Sequence, residues 1–317
     1  MHMRGSVKQK LLTMISALIL TSVLAVTALT YHNDRSALVL QSTQATQQLL
    51  EQLSINVDTY LDELFRLCLS PYYNRQVMEQ LELSPVTAAE KLQKQRVIED
   101  YLTEVMTLPR GDILRAHIVS DGVYSSSKTR YGADLSSADE DADWYRKAVV
   151  SRTAVFLPAH VEAQGKTLLS VFGIAQRINS TRDSGKVLGV IRVDANYNGI
   201  QAVCDRAGTS AGSALMILDS ADNEIYRSDR TEEKALQAPL LDALSEHKKD
   251  ESFSLRIGRS EYLVSVQTLH AADWRIVDVR SMRVLTAAAT KARDKAFLLA
   301  LLCAVLGMLV SVPLVRR

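Results

Sequence analysis

The 317-residue sequence lacks any marked excess of charge. Lys and Arg number 37 and Asp and Glu 36, for a formal net charge of +1. A general nucleic-acid binder needs a strong basic surplus to meet phosphate, so that partner class is excluded. Cysteine is scarce, with three in the chain. Cys68, Cys204 and Cys303 are too few and too far apart for a disulfide scaffold, and pairing of Cys68 with Cys204 stays open. The six histidines are scattered, without an i,i+4 pair or a cysteine partner, so no zinc site and no metal cofactor is expected.

Charge is absent altogether from two stretches, Leu11–Thr30 and Ala296–Val315. A helix needs about 20 apolar residues to cross the hydrocarbon core, and both runs reach that length. The first could instead be a signal peptide. It is longer than a typical signal core, however, and no clear A-x-A cleavage site follows, which favours a retained anchor. Arg4, Lys8 and Lys10 precede it, whereas residues 31–50 carry only Asp34 and Arg35. The positive-inside rule then places the N-terminus in the cytoplasm, and two spans return the chain there at Arg316-Arg317. Lys291, Arg293 and Lys295 on the outer side run against that reading of the second span. The expected localisation is the cell membrane, with lipid as a partner and residues 32–295 extracytoplasmic.

Proline and glycine are missing from Tyr31 to Leu69. Leu50, Leu53, Val57, Tyr60, Leu64 and Leu67 recur there at three- and four-residue steps, a heptad seam. Such a stripe can pair with a second copy, giving a homodimer through the stalk and membrane helices, or pack on the domain that follows. Ser70-Pro71 breaks the helix. Ser84-Pro85 reads as the start of another, running to about Met106, with Val97, Ile98, Tyr101, Leu102 and Val105 inward.

From Ile113 the period becomes strand-like. Ile113–Ser120 and Gly122–Ser127 flank the turn pair Asp121-Gly122. A short helix is expected near Ala138–Val150, then strands at Val155–Leu157, Lys166–Gln176 and Val187–Val193. Asn196–Ala207 reads as a connecting helix and Gly208–Gly212 as a boundary. The pattern then repeats: strands Ala214–Asp219 and Glu224–Ser228, a helix over 231–247, and strands Ser252–Ile257, Tyr262–Thr268 and Trp274–Val279. A last helix starts near Ser281.

Two tandem α+β units after a long helix, between two apolar runs, resemble the double Cache sensor domain of bacterial membrane receptors. The matching residues are the helix Asp143-Trp144-Tyr145-Arg146-Lys147-Ala148 and the strand Gly189-Val190-Ile191-Arg192-Val193-Asp194. Ile217-Leu218-Asp219, Asn223-Glu224-Ile225-Tyr226 and Trp274-Arg275-Ile276 resemble the second lobe. The resemblance covers about 32 to 317, and order and spacing carry it rather than any single motif. It implies an α+β fold class: a long N-terminal helix, then two tandem PAS-like lobes with antiparallel sheets, flanked by two transmembrane helices. The implied segments are 1–10 cytoplasmic, 11–31 first span, 32–108 stalk and second helix, 109–200 distal lobe, 201–280 proximal lobe, 281–295 exit helix and 296–315 second span.

The resemblance further implies a small extracellular metabolite bound in the distal lobe, with Trp144, Tyr145 and Asp194 as contacts. Asp194 could meet a ligand amine or cap the next helix. Amino-acid-binding members carry an Arg two residues before the Trp, where this chain has Ala142. Arg130 or Arg146 could supply the same fork to a carboxylate. Tyr124, Tyr131 and His160 are candidate wall residues, each equally an ordinary half-buried side chain.

Other motifs fail. Asp139, Asp141 and Asp143 imitate a calcium loop, but its glycine and terminal glutamate positions hold Trp144 and Val150. Gly165-Lys166-Thr167 lacks the upstream glycine of a phosphate loop, and Ser125–Lys128 lacks the partner motifs of an S-x-x-K enzyme. No catalytic set is found. The expected function is extracytoplasmic sensing and transmembrane signalling as the sensor part of a two-component histidine kinase, with a kinase module or response regulator as cytoplasmic partner. Chemoreceptor, diguanylate cyclase and AraC-type outputs remain open, as do a membrane-tethered binding protein without output and an anchored enzyme.

Overall fold

The structure is a computed structural model that describes residues 7–107, 109–126, 143–164, 167–183, 185–207, 213–228, 234–247 and 250–316. Its spine is α1 (Val7–Leu69), which continues unbroken through the stretch without proline or glycine. Ser70–Tyr73 ends it in a 3₁₀ turn with Pro71 buried. A helix the sequence pattern did not suggest, α2 (Arg75–Glu82), follows. The Asn74 side chain caps it by accepting from the Val77 N–H, and Val77, Met78 and Leu81 face inward. Helix α3 (Ala88–Tyr101) begins three residues later than Ser84-Pro85 suggested. Thr87 and Glu90 form a reciprocal capping box that fixes its start. It leaves through a π-turn over Leu102–Thr107.

The first sheet comprises β1 (Ile113–Val119), β2 (Val123–Ser125), β3 (Val155–Gln164), β4 (Thr167–Asn179) and β5 (Val187–Asn196). Its order is β2-β1-β5-β4-β3, antiparallel throughout. Helix α4 (Asp143–Val150) lies on one face, and α5 (Asn198–Ala207) leads out of β5. The second sheet comprises β6 (Ser213–Leu218), β7 (Glu224–Arg227), β8 (Ser252–Ile257), β9 (Ser260–Thr268) and β10 (Arg275–Ser281), with α6 (Lys234–Glu246) before β8. Its order, β7-β6-β10-β9-β8, repeats that of the first. Helices α7 (Met282–Leu285) and α8 (Ala287–Arg316) complete the chain. Two PAS-like lobes in tandem on a long helix are therefore present.

Alternation along the strands divides the first sheet into two unlike faces. Ala116, Ile118, Phe172, Ile174, Ile191, Val193 and Ala195 face α1 to α3 and belong to one buried core. That core continues into the second lobe through Leu215, Ile217, Trp274 and Ile276. The opposite face carries Arg115, His117, Arg192 and Asp194 and receives α4.

The heptad stripe is used inside the chain. Leu50, Leu53, Val57, Tyr60 and Leu64 are all buried in the main core. Helix α5 approaches so closely that a Cβ on Gly199 would lie 2.4 Å from the Tyr60 ring. Over these positions the in-chain alternative is the one seen: the apolar face of the stripe is covered by the chain's own lobes. Periodicity shows that a face is buried and cannot show by which chain.

Among the described residues, no helix is long and apolar enough to cross a membrane. The runs Leu11–Thr30 and Ala296–Val315 fall on α1 and α8, and much of each lies outside the residues whose side chains are described. The two flanking spans are thus not part of the described fold. Cys68 and Cys204 are both buried and free, so the open pairing does not occur. Burial pushes both thiols up, Cys204 to about 12, with the Asp205 charge adding to the effect there.

Leu64 is completely buried on the stripe. Leu64→Ala is expected to cost about 2–5 kcal/mol of stability by urea denaturation. A cost under about 0.5 kcal/mol would mean that the stripe is not packed within the chain.

Candidate ligand-binding site

The polar face of the first sheet is built from i,i+2 pairs. Arg115 and His117 on β1, and Arg192 and Asp194 on β5, project to the same side. The register sets Arg115 opposite Asp194, and Asp194 opposite Gly173 on β4. Asp194 is completely buried. Its Oδ2 accepts from Arg115 Nε at 3.1 Å and Nη2 at 2.8 Å, and its Oδ1 accepts from Arg192 Nε at 2.7 Å. Burial works to raise its pKa, but the two guanidiniums outweigh burial and hold the carboxyl below its ordinary value.

Gly173 makes room for this cluster. A Cβ there would lie 2.8 Å from Asp194 Oδ1 and 2.9 Å from Leu157 Cδ1. Beside it, His117 is fully buried with neither ring nitrogen bonded. Burial first, then the positive charge of Arg192 and Arg115 against the opposing pull of Asp194, lowers it to about 3, so the imidazole is neutral.

Trp144 covers this floor. Its ring meets His117 edge to face at 5.7 Å, and the Arg192 guanidinium lies 5.1 Å from its centre. Tyr145 stacks edge-on against Trp144 at 5.8 Å. Trp144 stands in the first turn of α4, beside β3. Between them is an open cavity of about 560 Å³, walled by Trp144, Lys147, Phe156, Leu157, Pro158, Ala159 and His160, with Arg115 and Arg192 at its base. His160 joins the two sides: Nδ1 donates to Pro158 C=O at 3.1 Å, and Nε2 accepts from Arg192 Nη2 at 3.3 Å. Both contacts require the same neutral tautomer. The cavity combines aromatic and aliphatic walls with a few converging polar groups, as small-molecule sites do.

Of the residues expected from the sequence, the structure brings together Trp144 and His160 on the cavity wall and Asp194 beneath it. Tyr145 supports Trp144 from behind and does not line the space. Of the two alternatives for Asp194, helix capping is not the one seen, since both its oxygens accept from arginines. Two further placements differ from expectation. Tyr124 lies elsewhere, where its hydroxyl donates to Asp121, which also receives the buried Lys94 ammonium. Arg146 pairs with Asp143 at the solvent-exposed start of α4 and does not enter the cavity. Arg130 and Tyr131 lie outside the described residues, as does Ala142. Sequence reasoning missed Arg115, His117 and Arg192. Polar residues at alternate positions of otherwise apolar strands were the available signal. Among the described residues, no cluster of ligating side chains fits a metal ion.

No family model and no curated protein matches the sequence. Solved structures do match. The ligand-binding domain of the Campylobacter jejuni chemoreceptor Tlp3, in complex with L-valine, is 16% identical, with a TM-score of 0.56 over 79% of this chain and 97% of that one. The ligand-binding domain of the Pseudomonas aeruginosa amino acid chemoreceptor PctC, in complex with GABA, is 11% identical, with a TM-score of 0.53 over 75% and 99%. That of the Pseudomonas fluorescens chemoreceptor CtaA, in complex with L-alanine, is 14% identical, with a TM-score of 0.50 over 75% and 96%.

The buried imidazole predicts a pH dependence. His117 stays neutral in the folded state while the unfolded chain protonates near 6.5, so stability falls as pH drops from 6.5 toward 3. The depressed Asp194 adds its own loss only below the ordinary carboxylate range, near 4. From pH 6.5 to 4.5, wild type should lose about 2–3 kcal/mol more than His117→Leu in urea denaturation, since each pH unit is worth about 1.4 kcal/mol. Equal losses would mean that His117 is not held neutral.

Proposed function

We propose that, on its double Cache fold, the chain senses a small extracytoplasmic metabolite of amino-acid size and transmits its presence across a membrane. The observation that carries the reading is the cavity between Trp144 and the Leu157–His160 wall, over a floor of arginines held by Asp194. Its volume falls within the ~300–1,000 Å³ usual for small-ligand sites. The positive charge of Arg115 and Arg192 at the base of the cavity suits a carboxylate-bearing ligand. A ligand amine would find Asp194 already engaged by both arginines, which places the burden of recognition on the carboxylate and the apolar walls.

The membrane reading draws support from the two end helices. Met14, Leu18, Val26 and Leu29 on α1, and Phe297, Leu298, Leu299, Leu301 and Leu302 on α8, are exposed apolar side chains on helices that lie against one another. Above them the Arg293 guanidinium lies 4.8 Å from the centre of the Tyr31 ring, the pairing of a basic and an aromatic residue that suits a membrane interface. In this reading Leu11–Thr30 and Ala296–Val315 are the two spans, and the lobes stand outside. Output passes through α8 to a cytoplasmic module. A histidine kinase is the commonest partner of this layout; a chemoreceptor output is the second reading, favoured by the chemoreceptor domains that share the fold.

The detergent-solubilised chain should be screened by thermal shift against the proteinogenic amino acids and small monocarboxylates. At least one should raise Tm by several degrees, since ligand at about 100 times its Kd adds about 2.7 kcal/mol. Trp144→Ala should abolish that rise. No shift with any compound, or a rise unaffected by Trp144→Ala, would remove this cavity from the account.

A further inference from the structure

Resting on that reading of the pocket, the contacts of its wall point to one junction between the lobes. Strand β3 pairs with β4 as far as Leu157, then slips register before His160. Pro158 and Ala159 stand out of the ladder at the slip, and both face the cavity. Pro158 has no N–H. The Ala159 N–H leaves the sheet altogether and donates to Asp219 Oδ2 at 2.7 Å.

Asp219 belongs to the other lobe. It follows β6 and is almost completely buried. Its Oδ1 accepts from the backbone N–H groups of Ala221 and Asn223 at 2.8 and 2.9 Å, and its Oδ2 also accepts from Asn223 Nδ2 at 3.0 Å. The carboxylate therefore ties its own turn together through both oxygens and holds the pocket wall through Oδ2. That turn contains Asp222, at a left-handed φ of 62°, which pairs with Arg275 at the first position of β10. Next to Arg275 is Trp274, whose ring meets Phe156 at 6.2 Å and Phe172 at 5.2 Å. Strand β10 pairs with β6 along its length and runs through Ser281 into α7 and α8.

We propose that Asp219 is the positioning residue through which the proximal lobe reads the distal cavity, by way of the Ala159 amide. A ligand pressing on Leu157 to His160 displaces the bulge. The bond from Ala159 to a rigid, charged acceptor carries that displacement into the Asp219 turn, to Arg275 and so to β10 and α8. Charge-assisted bonds are short and directional, so such a contact resists slippage better than apolar packing. Ligand shifts the balance only as far as it binds the displaced wall more tightly than the undisplaced one.

The chain has two tryptophans, one at each end of this route: Trp144 in the cavity and Trp274 at the root of β10. Fluorotryptophan labelling of the solubilised full chain therefore gives two ¹⁹F resonances. His160→Ala perturbs the wall without any ligand and should move both. In Asp219→Asn, whose amide retains one acceptor oxygen for the turn, Trp144 should still move while the Trp274 displacement falls at least threefold. Ala159→Pro, which removes the donor and leaves the Asp219 turn intact, should do the same and serves if Asp219→Asn does not fold. An undiminished Trp274 displacement in either variant, or no Trp274 displacement in the parent, overturns the proposal. Titration of the parent with the amino-acid panel tests the pocket separately, since a Trp144 resonance that ignores every compound contradicts the pocket without touching the wall experiment.

Discussion

A carboxylate buried at the centre of a sheet must be met by positive charge, because taking it out of water unpaired costs several kcal/mol. Asp194 is met twice, by Arg115 from the neighbouring strand and by Arg192 from its own. Much of the first lobe follows from that requirement. The register of β1 on β5 must bring Arg115 opposite Asp194, and β4 must offer a residue without a side chain where the carboxylate lies. Arg192, fixed at one end by Asp194, can then support the Trp144 ring and hold His160 through its remaining donors. The cavity is the space left between that fixed floor and the α4 and β3 walls.

The other face of the same sheet explains the long helix. It is apolar and large, and α1 covers it with the stripe from Leu50 to Leu64. Further contacts tie the helix to both lobes. Tyr60 donates to Asp112 at the entrance to β1, and Asp58 accepts from the His270 and Ala271 backbone in the loop before β10. Arg35 pairs with Glu261 of β9 lower down. The helix thus serves as a common frame against which the two lobes are held, while the bulge of β3 and the Asp219 turn provide a direct contact between them.

Much of this was legible in the sequence. Short apolar runs bounded by turn residues marked most strands of both sheets within a few residues, and the change of period near Ile113 marked the passage from helices to sheet. Pro158 hid the length of β3, because a proline reads as a strand end and here a bulge absorbs it. Helix α2 was hidden because it is short and mostly polar, and its apolar residues matter only once α3 and the sheet cover them. The heptad stripe was visible, but periodicity is blind to the identity of the covering surface. At the site, Trp144, His160 and Asp194 could be found from the resemblance and from residue type. Arg115, His117 and Arg192 were visible only as polar interruptions of apolar strands, whose meaning depends on a register that sequence does not state. Tyr124 and Arg146 have suitable chemistry, but the first faces Lys94 and Asp121 and the second faces solvent.

The proposed ligand site occupies one face of one lobe. Hydrogen exchange of the whole solubilised chain, with and without the mixture of proteinogenic amino acids, measures that placement directly. Protection should appear first in peptides covering 143–150 and 155–160, which wall the cavity, with a smaller change over 213–228. A second, larger groove of about 970 Å³ between α1 and α5, lined by Asn56, Glu63 and Arg206 among others, provides the contrast. Protection confined to peptides 49–63 and 198–206, with none on α4 or β3, would contradict the proposed site.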